Sequence, residues 1–237
     1  MITEEEKYQR LGLLATKLGV PIPLTWLEVD ITLGGKIISH QKQRGHSWNR
    51  NAYNLLFCQL SAKHADNSSF GAGYLSGKNT AGALVTMNTA WWVGSGTSNY
   101  FSDAWQTSSD VAGGALIAPT NSIAMGIVAG SGNAAESFEG YALVTPITDG
   151  VGSGQLSYTQ GELNVIAYDA GTKTLTNTIK RYINNNSGGA VNLNEVALIA
   201  KTTQGYFMLS RDLTGLIAIP DTAQLKVTYT ISLVYPA

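Results

Sequence analysis

Three histidines, His40, His46 and His64, fall between residues 40 and 64 and are the first candidates for metal or acid–base chemistry. A zinc centre asks for two histidines one helical turn apart or for a carboxylate close by. His40 and His46 straddle Gly45, and the first acid after His64 is Asp66, so the spacing points to structural histidines. Cys58, the single cysteine, sits in an apolar run without a basic neighbour. That is the setting of a small core residue, since a nucleophilic thiolate needs a nearby positive charge. Gly71-Ala72-Gly73, Gly94-Ser95-Gly96 and the run from Gly150 to Gly154 could cradle a phosphate, but none leads into Lys-Ser/Thr and a helix. The acids lack the Asp-x-Asp-x-Asp-Gly spacing of a calcium loop. Ser131, Ser153 and Ser210 lack the turn that exposes a nucleophile. No catalytic residue, cofactor site or metal site is therefore expected. Trp91, Trp92 and Trp105 remain, in a polar, glycine-rich setting. They read either as platforms for sugar rings or a protein partner, or as core filling beneath long loops, the commoner fate of tryptophan.

The chain has 237 residues, 44% apolar and only 13% charged, with 15 basic and 16 acidic residues and a net charge of -1. Disorder needs the opposite balance, and a duplex-binding surface needs a basic footprint. Residues 79–172 carry no Lys or Arg, where even spreading would place about six. The same window holds seven acids and would repel a phosphate backbone. Nucleic acid is not an expected partner. A single cysteine excludes a disulfide framework, and no apolar run is long enough to span a bilayer, so no membrane partner is expected. The N-terminus is acidic and does not read as a signal peptide. A soluble, β-rich assembly protein made in a cytoplasm is the expectation.

The elements follow from periodicity. Thr3 and Glu6 form a capping box for a helix over residues 3–18, whose apolar positions are Tyr8, Leu11, Leu14 and Leu18. Gly19, Pro21 and Pro23 end it in a stiff connector. So short a helix must dock, either on its own domain or as an arm on a neighbouring subunit; the connector favours the arm. Val29, Ile31 and Leu33 alternate with polar residues as a strand, and Gly34-Gly35 turns it. Ser47 is read as the cap of a helix over residues 47–62, whose two apolar stripes suggest burial on most sides. Leu225, Val227, Tyr229, Ile231 and Leu233 alternate with polar residues in a long strand facing a core. Further strands are expected over 174–183, 190–200 and 206–210, with turn chemistry at 184–189. The fold class is mainly β: an antiparallel β-sandwich or jelly-roll-like module with an N-terminal helix and one buried helix. The expected organisation is an arm over 1–25, a strand, helix and loop region over 26–125, and a sandwich over 126–237 that forms one compact unit with 26–125.

The run from Ser47 to Phe57 resembles the helix motif near the start of certain tailed-bacteriophage virion proteins. Residues 126–132 with Tyr141-Ala142-Leu143, then 152–158, 185–191, 195–198, Arg211-Asp212 and 227–231, resemble later blocks of that family in order. The resemblance implies a structural part of the virion without catalytic activity or cofactor: a capsid decoration, neck or tail component. Its implied partners are other virion proteins and copies of itself, as a trimer or higher cyclic assembly. Tyr8, Leu11, Leu14 and Leu18 are the expected subunit interface. The alternative is a receptor- or glycan-binding tip using Trp91, Trp92 and Trp105.

Overall fold

The computed structural model describes residues 2–20, 22–61, 76–86, 116–202 and 205–235. In chain order the elements are α1 (Glu4–Leu18), β1 (Pro23–Leu33), β2 (Lys36–Gly45), α2 (Arg50–Ser61), β3 (Ser76–Lys78) and β4 (Leu84–Thr86). They continue with β5 (Gly126–Gly130), β6 (Ser157–Gly161), β7 (Val165–Asp169), β8 (Thr174–Asn184), β9 (Val191–Thr202), β10 (Gly205–Ile219) and β11 (Gln224–Val234).

The alternating strand at the C-terminus is the spine of the larger sheet. β11 lies between β1 and β8, antiparallel to both, and buries Leu225, Val227 and Tyr229. The sheet runs β2-β1-β11-β8-β6, with β7 beside the other half of β8. β1 and β2 are joined at Gly34 and Gly35, whose φ values of 58° and 77° suit the tight hairpin turn that only residues tolerant of positive φ accept. A second sheet, β10-β9-β5, packs across the first. Ile127, Leu193, Val196 and Leu198 from one side meet Leu27, Val29, Ile179 and Ile183 from the other. The fold is thus a mainly β, antiparallel sandwich with an N-terminal helix, as the alternation implies. β1 begins at Pro23 and pairs with β11, so a boundary at residue 25 falls inside a strand and the sandwich is not confined to residues 126–237.

The capping box is present: the Thr3 amide donates to Glu6 Oε2 at 2.6 Å and the Glu6 amide to Thr3 Oγ1 at 3.2 Å. The Val20 amide closes the other end on the Ala15 carbonyl at 2.9 Å. α1 docks on the outer face of its own sheet. The Arg44 guanidinium stacks 3.6 Å from the Trp26 ring and 4.8 Å from the Tyr8 ring, and binds the Glu5 carboxylate.

α2 departs from expectation in two ways. It starts at Arg50, and its cap is Asn49 rather than Ser47: the Asn49 carboxamide oxygen accepts the Ala52 amide at 3.3 Å. Over residues 50–56 it is also not buried on most sides, because Tyr53 and Leu56 are exposed while Asn51 and Leu55 are buried. The reason is polar anchoring. Asn49 and Asn51 donate to the Met208 carbonyl, and Asn51 also bonds the backbone of Lys78. One apolar face, Ala52 and Leu55, then covers Ala200, Phe207 and Leu209.

Candidate functional site

Gly71-Ala72-Gly73 and Gly94-Ser95-Gly96 lie outside the described residues. In Gly130-Ser131-Gly132 the Ser131 amide donates to the Thr145 carbonyl at 2.8 Å and the Gly132 amide to the chain's own Glu195. The carboxylate accepts the amides of Gly132 at 3.1 Å, Thr145 at 2.9 Å and Val144 at 3.3 Å, and pairs with Arg211. A Cβ at Gly130 or Gly132 would come within 2.6 Å of Glu195 Oε1, which is why these positions are glycine. Arg211 also donates to the carbonyls of Ala134 and Ala135, so a buried ion pair holds the segment after β5 against β9 and β10. In the run from Gly150 to Gly154, the Gly152 amide is taken by the Gln155 side chain at 2.8 Å.

Among the described residues, one group could hold a cation: ligand atoms of His46, Glu136 and Asp212 lie within 4.8 Å of one another. The Asp212 oxygens are already engaged. One accepts the amides of His46 and Ser47, the other the hydroxyls of Ser210 at 2.8 Å and Tyr229 at 2.9 Å. Burial pushes the Asp212 pKa up against these hydrogen bonds. Glu136 accepts the Leu213 amide at 2.7 Å. This is the bonding of a structural hub joining both sheets to the loop before α2. Nor is it a hydrolytic triad, which needs serine and acid on opposite ring nitrogens. Ser47 Oγ and Glu136 Oε2 both approach Nδ1 of His46, at 3.0 and 3.5 Å. Ser210 contacts a carboxylate and is buried. His40 binds Asp30 at 2.6 Å.

The surface that stands apart is the end of the larger sheet that holds β7. Along β11, burial falls from Tyr229 to the half-buried Ile231 and Leu233, and Tyr235 beyond them is 41% exposed. Beside them on the same face lie Leu175 of β8 and Ile166 and Tyr168 of β7, by strand register. The Tyr168 and Tyr235 rings stand 5.9 Å apart. Every residue of β7 is exposed, Ile166 to 69%. On the opposite face, α1 leaves a cavity of about 150 Å³ lined by Leu11, Ala15, Leu24 and Val234 among others. Leu13, Leu14 and Leu18 point to solvent. Single exposed apolar residues are ordinary; here twelve of them, on both faces, fall in residues 2–20, 163–168 and 234–235.

The expected interface is thereby divided. Tyr8 stacks on Arg44 within the chain, Leu11 lines the cavity but is 40% exposed, and Leu14 and Leu18 are open. Trp91, Trp92, Trp105 and His64 lie outside the described residues, as does the Cys58 side chain. Ile166, Tyr168 and Tyr235 are absent from the sequence-based candidates, although Val165-Ile166-Ala167-Tyr168 is an unbroken apolar run. No family model, curated protein or solved structure matches the chain. Among the described residues, no helix is long and apolar enough to cross a membrane.

Proposed function

We propose that this chain is a non-enzymatic structural protein of a tailed-bacteriophage virion, a capsid decoration, neck or tail component that assembles with copies of itself and with other virion proteins. The ordered blocks from residue 126 onward support the class. The observation that carries the assembly role is the concentration of exposed apolar side chains at one end of the larger sheet, on α1, β7 and the end of β11. Few charges and many small polar residues suit such contacts, because interfaces lose charge at their centres. Other virion proteins and further copies, in a trimer or higher cyclic arrangement, are the partners this reading assigns. Immunogold labelling of purified particles of the source phage tests it. Label at regular positions on the particle is the expected result; particles that carry no label, from lysates rich in the protein, would overturn it.

A further inference from the structure

We propose that β7 is the contact strand of a two-fold dimer, pairing antiparallel with β7 of a second copy about Ala167. This rests on the self-assembly part of the reading above and names the partner of that surface. Sheet edges are templates for another strand unless they are blunted by lysine, proline, a bulge or a covering segment. β6, which shares this side of the sheet, is covered: Asn121 donates to the Tyr158 carbonyl at 2.9 Å and the Gly161 amide to Ala118 at 2.8 Å. β7 carries no lysine, proline or register shift, and among the described residues it pairs only with β8.

The strand is its own complement. A two-fold through an antiparallel pair must pass beside one residue, and Ala167 is the centre that uses all five positions, Val165 to Asp169. Ile166 of each copy then faces Tyr168 of the other, an aromatic against a β-branched residue twice over. Both fall on the face that carries Leu175, Leu233 and Tyr235, so the apolar surface runs continuously across the axis. Like charges never oppose. Asp169 faces Val165, and its carboxylate is turned back onto the amides of Gly171 at 2.8 Å and Thr172 at 3.2 Å. With such an edge in use the copy number of the assembly is even, so a cyclic trimer would occur as two rings joined through β7 by two-fold axes.

The test is disulfide trapping of full-length protein with Cys58 replaced by serine, alongside light scattering of the wild type. Residues directly opposite on the axis have Cα atoms about 5 Å apart, within reach of a disulfide. Ala167→Cys should be trapped as a dimer by oxidised glutathione at least tenfold faster than Leu216→Cys on β10. Val165→Cys alone should match that control, and Val165→Cys with Asp169→Cys should regain the fast rate. If the serine change weakens the fold, the same variants with Cys58 retained are read by mapping the cross-linked peptides. A wild type that assembles while Ala167→Cys stays at the control rate overturns the β7 pairing and leaves self-assembly standing. A wild type that stays at the 25.2 kDa mass of one chain at every concentration, with no fast trapping, overturns both.

Discussion

The two sides of the larger sheet are finished differently. β2, at one side, carries Lys36, His40, Lys42 and Arg44, and its pairing with β1 shifts register between Ile31 and Thr32. Its inward side chains are tied down as well, Gln41 to the Thr214 carbonyl and Gln43 to Leu213, both at 2.8 Å. β7, at the other side, has five exposed residues, four of them apolar, and none of these devices. Basic side chains and a bulge on one edge and their absence on the other are what separates a blunted edge from one left ready to pair. The same polarity runs along the strands. The end with β5 and β6 is closed by buried, bonded polar groups, and the end with α1 and β7 presents apolar ones.

The largest effect should come from the closed end. Arg181 is fully buried and, among the described residues, has no carboxylate hydrogen-bonded to it; its guanidinium donates to the carbonyls of Thr159, Ile127, Pro119 and Ser122. Burial pushes its pKa down to about 10. Arg181→Ala would orphan these acceptors and open a cavity, and should cost about 3–5 kcal/mol in chemical denaturation. A loss under about 1 kcal/mol would mean that Arg181 does not hold this end together.

Next in size is the contrast across β11. Val227→Asp puts a carboxylate into the core and should abolish the cooperative melt, whereas Thr230→Asp, on the outer face, should change stability by less than about 1 kcal/mol. Equal tolerance of the two would contradict the register.

A smaller effect should be seen in pH. The Asp212 pKa is raised by burial above its ordinary value, so the stability linked to its protonated form is fully present below about 3.8 and is lost as pH rises through the raised value. Asparagine at this position can keep both amide donors and offer its own amide to the Ser210 and Tyr229 oxygens. The Tm of Asp212→Asn relative to wild type should therefore climb as pH increases from 4 into the neutral range. A difference that stays flat or falls would show that the carboxylate is not strained there.

Strand alternation, caps and turns are legible in the sequence; the buried polar groups of the closed end and the bare strand of the open end are not. Alternation in β11 announces its inward face because one side meets a core and the other meets water. The Thr3–Glu6 cap and the Gly34-Gly35 turn are local chemistry and need no tertiary context. Arg181 is harder: period two places it inward with Ile179 and Ile183, but its charge argues for the surface, and only the converging carbonyls resolve the conflict. Glu195 is hidden for the same reason, its amide donors coming from segments 50 and more residues away. α2 misleads because an apolar helix face looks the same whether it packs inside or lies open. β7 is missed because a strand exposed on both faces has no hydrophobic alternation to display.

The central claim, that the apolar end joins copies of this chain, is tested most directly by sedimentation velocity across a hundredfold concentration range. The wild type should shift from the 25.2 kDa chain to an even-numbered assembly, and Ile166→Asp with Tyr168→Ser should stay at the mass of one chain. Because both residues are exposed, the double variant should melt within about 0.5 kcal/mol of the wild type. A double variant that assembles as the wild type does, or a wild type that never leaves the single-chain mass, would contradict the account.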